Sequence, residues 1–151
     1  PKPYHKVIKD GVMWACEKDY TFPFPAIFKP ILRRAVKIKI NEPFILQDNN
    51  NLARKNLDKT IALCNPDSKI QIHTLEQEGY DYLEMSVLDW KSEMEKTHKN
   101  VRIILKKRYY VRERYIETDN FIINLGHGFQ AFKNGKTTQQ TNISIHYKPN
   151  K

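Results

Sequence analysis

A chain of 151 residues with 40% hydrophobic and 28% charged residues has the composition of a globular protein, and it is long enough to bury a core without a metal or a disulfide. Its uncharged apolar stretches, such as FPFPAIF at 22–28, are far shorter than the roughly 20 residues that span a bilayer. The net charge of +9 points to a polyanion or an acidic partner. However, lysine, asparagine, isoleucine and tyrosine together supply 55 residues, as an A/T-rich coding sequence would, so lysine excess alone decides little.

The opening PKPYHKVIKDG lacks the apolar segment of a signal peptide, so an intracellular chain (cytoplasm, nucleus or organelle matrix) is expected rather than a secreted one. Cys16 and Cys64 have neither CxxC nor Cys/His spacing and read as buried free thiols in a reducing compartment. No repeat, linker or low-complexity tract interrupts the sequence, and one domain over 1–151 is expected.

In chain order, HKVIKDGVMWACE pairs two apolar runs across Asp10-Gly11, a hairpin signal because the turn needs positive φ. YTFPFPAIFKP, with three prolines, reads as an extended strap. It either seals one end of the core or offers Phe22, Phe24 and Phe28 as anchors for a partner protein. LRRAVKIKI alternates, with Leu32, Val36, Ile38 and Ile40 opposed to Arg33, Lys37 and Lys39, which predicts a strand with one basic face. After QDNNN, whose polar side chains can cap a helix, Ala53, Leu57, Ile61 and Cys64 fall at helical spacing.

KIQIHTL and YDYLEMSV predict a second hairpin. Ser86 with Asp89 then resembles a capping box ahead of a helix that buries Val87, Trp90 and Met94 and exposes Glu93 and Glu95. The last third reads as strands: FIINL, a GHG turn, a hairpin on Asn134-Gly135, and TNISIHY with Ile143, Ile145 and Tyr147 inward against Ser144 and His146. The expected architecture is α+β, a curved, mainly antiparallel sheet of the oligonucleotide-binding (OB-like) barrel kind with two packed helices.

The basic run VRIILKKRYYVRERYI at 101–116 carries the functional signal. Charge is uneven: 1–75 hold 13 basic and 7 acidic groups, 76–95 hold 1 and 7, and 96–151 hold 12 and 3. Four of the seven arginines, Arg102, Arg108, Arg112 and Arg114, fall within 13 residues. Guanidinium grips phosphate and stacks on rings, so its clustering outlasts the codon-bias explanation.

Read as a strand, or two strands broken by a bulge near 106–108, the odd positions are mostly apolar and the even ones mostly cationic. That would set a ladder of cations about 6.6 Å apart with Tyr110 among them as a stacking ring. The competing explanation is a solvated face, or one paired with the carboxylates of 76–95.

The histidines His5, His73, His98, His127 and His146 show no ligand spacing, and no P-loop, dinucleotide, nucleophile-elbow or metalloprotease motif occurs. No catalytic residue, metal or cofactor is expected. The sequence therefore predicts a non-enzymatic basic module that contacts single-stranded or structured nucleic acid, or serves a nucleoprotein assembly, through Arg33, Lys37, Lys39, Arg102, Lys106, Arg108, Tyr110, Arg112 and Arg114. Two alternatives remain: an interaction subunit docking an acidic protein surface and engaging its partner through Phe22, Phe24 and Phe28, and a ligand-binding or enzyme domain with a cavity near His127.

Overall fold

A computed structural model describes residues 1–46, 51–76, 86–107 and 113–149. An eight-stranded sheet runs through them in the order β1 (Tyr4–Ile8), β2 (Gly11–Cys16), β10 (Thr141–Tyr147), β7 (Phe121–Asn124), β6 (Tyr115–Glu117), β3 (Lys37–Asn41), β4 (Lys69–Leu75), β5 (Val101–Lys106). A small second sheet pairs β8 (Phe132–Lys133) with β9 (Lys136–Thr137). The fold is α+β with a mostly antiparallel sheet, as expected. Among the described residues the sheet does not close, with β1 and β5 at its edges, so no barrel is seen there. Among the described residues three helices, α1 (Phe24–Leu32), α2 (Leu52–Leu63) and α3 (Val87–Thr97), accompany it where two were expected.

The additional helix lies in the proline-rich segment read as an extended strap. Pro25 sits in its first turn, where a backbone N–H has no helical partner to lose, and Pro30 removes a single interior bond. Phe24, Phe28 and Leu32, spaced at i, i+4, i+8, form its buried stripe. Phe22, Phe24 and Phe28 are 1%, 3% and 0% exposed. Phe132 stacks on Phe22 at 5.7 Å between ring centroids and lies 4.9 Å from Phe24. These rings belong to the core and are not free to anchor a partner.

β3 pairs in parallel with β4, and β4 with β5, so α2 and α3 are the crossover helices such pairs require. Both crossovers step the same way through the sheet, and the right-handed rule places both helices on one face. α1 packs on α2 and joins them there. The predicted partner of β4 at 80–87 lies almost wholly outside the described residues, and both edges of β4 are occupied by β3 and β5. The expected stripes on α2 (Ala53, Leu57, Ile61) and α3 (Val87, Trp90, Met94) are buried, and Ser86 caps α3 by accepting the Asp89 amide at 3.1 Å.

On the inner face runs one row of β-branched residues, one from each strand of this sheet: Ile103, Ile72, Ile40, Ile116, Ile123, Ile145, Val12 and, at its exposed end, Val7. The first hairpin forms with Asp10, at φ 62°, supplying the left-handed turn residue. Gly11 is instead in the ladder, where a Cβ would stand 2.1 Å from the Ile145 carbonyl oxygen. The hairpin expected on Asn134-Gly135 turns through those two residues, both at positive φ.

Because Phe28 is enclosed by this core, Phe28→Ala is expected to lower the unfolding free energy by about 3–5 kcal/mol in urea melts. A loss below about 1 kcal/mol would place the ring at the surface.

Candidate functional site

Strand alternation decides which side chains reach the helix-free face. Ile38, Ile40, Ile70, Ile72, Val101 and Ile103 point to the core, so Lys37, Lys39, Lys69, Gln71 and Arg102 point away. Register then aligns them. Arg102, Gln71, Lys39 and Glu117 form one row across β5, β4, β3 and β6, and Lys37 lies beside Lys69. A second row of the same face holds His73, Asn41, Tyr115, Asn124 and Ser144.

An open cavity of about 440 Å³ is lined by Lys37, Lys39, Lys69 and Lys148 together with Glu117 and Asp119. Both carboxylates are engaged. Glu117 pairs with Lys148 at 3.0 Å, and Asp119 accepts the backbone amides of Val36 at 2.7 Å and Lys37 at 3.2 Å. Lys39 stands 5.7 Å from the Tyr115 ring centroid. Among the described residues, Lys37, Lys39 and Lys69 have no ion pair within 4 Å.

A neighbouring cavity of about 480 Å³ is lined by Glu113, Tyr115, Glu117, Ile122, Asn124 and His146. At its rim the Ser144 hydroxyl accepts from Asn124 Nδ2 at 3.2 Å and lies 2.8 Å from His146 Nε2. Deeper in the same face, His73 Nε2 meets Gln71 Oε1 at 3.3 Å. Burial, joined by the charges of Lys39 and Lys106, pushes His73 from 6.5 down to about 4.

Of the residues predicted from sequence, Lys37, Lys39 and Arg102 meet on this face. Arg33 is exposed at the C-terminal end of α1 rather than on the strand. Lys106 ends β5 half-buried. Arg108, Tyr110 and Arg112 lie outside the described residues.

Arg114 is a correction. The alternation of 101–116 changes phase because β5 and β6 are separate strands with β4 and β3 between them. Ile116 thus points inward, with Arg114 beside it, while Tyr115 points out. Arg114 Nε lies 3.5 Å from Glu42 Oε2, an ion-pair distance, and its guanidinium stands 5.2 Å from the Phe44 ring centroid. Bound to the chain's own buried carboxylate, it is not available to phosphate.

His127 is exposed in a turn between Gly126 and Gly128, both at positive φ, and lines neither of these two cavities. Tyr147 is also exposed, against expectation. Cys16 and Cys64 are buried free thiols that burial holds at about 11 and about 12. Lys69 and Lys148 were missed. Lys69 has the right parity in KIQIHTL, but its pairing with Lys37 depends on a parallel register that no local pattern encodes. Among the described residues no helix is long and apolar enough to cross a membrane, and no group of three or more His, Cys, Asp or Glu could hold a metal.

No protein-family model matches the chain, and no curated protein does. Among solved structures it is similar to phosphatidylserine synthase of Haemophilus influenzae Rd KW20, with a TM-score of 0.52 and 10% identity over 95% of this chain and 36% of that one. It also aligns with TrmBL2, an archaeal chromatin protein described with a novel mode of DNA binding, at a TM-score of 0.42 and 11% identity over 89% of this chain and 45% of that one. The chain thus spans less than half the length of either structure, and the likeness to the synthase is one of fold.

The depressed His73 has a sign-definite consequence. Below about 6.5 the unfolded chain takes up a proton on this residue that the folded chain refuses until about 4. Stability is therefore lost as pH falls through that window, by roughly 2 kcal/mol. Urea melts at pH 7 and 4.5 are expected to show a larger acid loss for the native protein than for His73→Gln, and equal losses would refute the assignment.

Proposed function

We propose that the helix-free face of the sheet is a non-enzymatic surface for phosphate-bearing chains, single-stranded or structured nucleic acid being the class it suits. The observation that carries this reading is the convergence of Lys37, Lys39 and Lys69, which have no ion pair among the described residues, on one open cavity that Lys148, paired with Glu117, also lines, with Arg102 further along the row that contains Lys39. Strand geometry spaces Lys37 from Lys39 by about 6.6 Å and Lys37 from Lys69 by about 4.8 Å. Ammonium groups at such intervals act as point charges toward successive phosphates. Tyr115, half-buried on the same face and in contact with Lys39, supplies a ring beside the cations, the role first assigned to Tyr110. Backbone contact made chiefly by lysines implies sequence-tolerant binding.

The neighbouring cavity supports a second reading, a polar small-molecule site, on the strength of the Asn124–Ser144–His146 hydrogen-bond chain at its rim. Charge reversal among the lysines separates the two, because it removes a polyanion and leaves an uncharged ligand of that cavity in place.

Titration of a single-stranded oligonucleotide across a salt series is expected to give a log–log slope near −3, about −0.7 for each of four phosphates. Lys37→Glu with Lys69→Glu is expected to weaken binding more than tenfold at low salt and to reduce the slope by about 1.4. Absence of low-salt binding by the native protein, or an unchanged slope in the double variant, would overturn the proposal.

A further inference from the structure

The two edges of the sheet are finished differently. On β5 the outward amide of Ile103 is capped by the Glu95 carboxylate at 2.9 Å, a side-chain block of the kind that stops another strand from adding. β1 carries no such block. In its hairpin with β2, Ile8 pairs with Gly11 next to the two-residue turn, so Ile8, Lys6 and Tyr4 exchange bonds with β2. The N–H and C=O groups of His5 and Val7 point away from the sheet. No hydrogen bond from the described residues reaches them.

The side chains on this edge are also unfinished. Tyr4 and Val7 are 73% and 79% exposed. Val7 terminates the β-branched row of the inner face beyond the cover of the helices, next to half-buried Val12 and Trp14. Residues 1–9 contain Lys2, His5, Lys6 and Lys9 and no carboxylate.

We infer that β1 receives an acidic, extended segment of a partner protein, which pairs antiparallel with it as an additional edge strand. The outward groups of His5 and Val7 supply the main-chain bonds, an apolar residue of the segment continues the row past Val7, and its carboxylates face Lys6 and Lys9. A second copy of this chain fits poorly. Antiparallel self-pairing that uses both His5 and Val7 sets Lys6 directly opposite its own counterpart, a destabilising like-charge pair.

The test uses the whole chain and capped octapeptides of alternating valine and glutamate or valine and lysine, N-methylated along one edge so that each pairs on one side only. With the glutamate peptide, hydrogen exchange is expected to slow at the His5 and Val7 amides and to stay unchanged at Tyr4 and Lys6. Val7→Pro removes an outward N–H that the β1–β2 ladder does not use, so it should leave the thermal melt in place and weaken the peptide at least tenfold. Lys6→Glu should shift preference toward the lysine peptide.

Binding without protection at His5 and Val7, equal affinity for both peptides, or unimpaired binding by Val7→Pro would overturn the inference. If the chain alone protects those amides and sediments as a dimer, the occupant is a second copy and the acidic segment is rejected.

Discussion

A carboxylate with no exposed surface holds the middle of the molecule together. Glu42, 0% exposed, follows β3, the strand where the parallel and antiparallel parts of the sheet meet. Its Oε1 accepts the Phe129 amide at 3.0 Å and its Oε2 the Phe44 amide at 3.2 Å, with Arg114 3.5 Å away. Burial raises its pKa, while the Phe129 amide, the Arg114 charge and the Phe44 amide oppose the rise. A charge in such a place is tolerated because several donors converge on it, and removal of one partner from a buried pair costs roughly 3–5 kcal/mol. The site also dictates Gly128, since a Cβ there would stand 2.2 Å from Glu42 Oε1 and the backbone has φ +78°. Asn56 of α2 donates to the carbonyls of Phe129 at 2.5 Å and Phe132 at 2.7 Å, so the segment gripped by Glu42 is also tied to a helix.

This arrangement bears on function through Arg114. Its guanidinium balances Glu42 inside, and the cations left on the helix-free face are mainly lysines. Lysine presents a compact, strongly hydrated charge without a planar fork, so under the proposed function the face would meet phosphates rather than the edge of a particular base. The core constraint and the expected lack of sequence preference have the same structural origin.

Local chemistry was readable in the sequence wherever it decided the outcome. Alternation in KIKI put Lys37 and Lys39 outside and Ile38 and Ile40 inside, helical spacing identified the buried stripes of α2 and α3, and Asn134-Gly135 marked its hairpin. The misreadings came from long-range competition. Prolines 25 and 30 looked extended when counted, yet the Phe24, Phe28, Leu32 spacing was already helical. The 101–116 run was treated as one continuous phase, whereas the chain leaves one edge of the sheet after β5 and re-enters beside β3, turning Arg114 inward. Neither the Lys37–Lys69 register nor the pairing of Arg114 with Glu42 leaves a trace within a short window, because each joins residues more than thirty positions apart.

Lys37 and Lys39 of β3 lie far from the β1 edge. Between β1 and β3 lie β2, β10, β7 and β6, so at about 4.8 Å per strand Lys37 and Lys39 lie roughly 24 Å from the β1 edge, whereas Lys148 follows β10, where the Tyr147 amide donates to the Asp10 carbonyl of the β1–β2 turn. The screening length in physiological salt is about 8 Å, and charge brought to the β1 edge is scarcely felt at Lys37 and Lys39. The sheet between them is packed on its inner face by a continuous β-branched row, and a close-packed layer of this kind resists the slippage that would couple the two mechanically. The two proposed contacts use different groups: Lys37, Lys39 and Lys69 toward phosphate, and the outward backbone groups of His5 and Val7 with Lys6 and Lys9 toward an added strand.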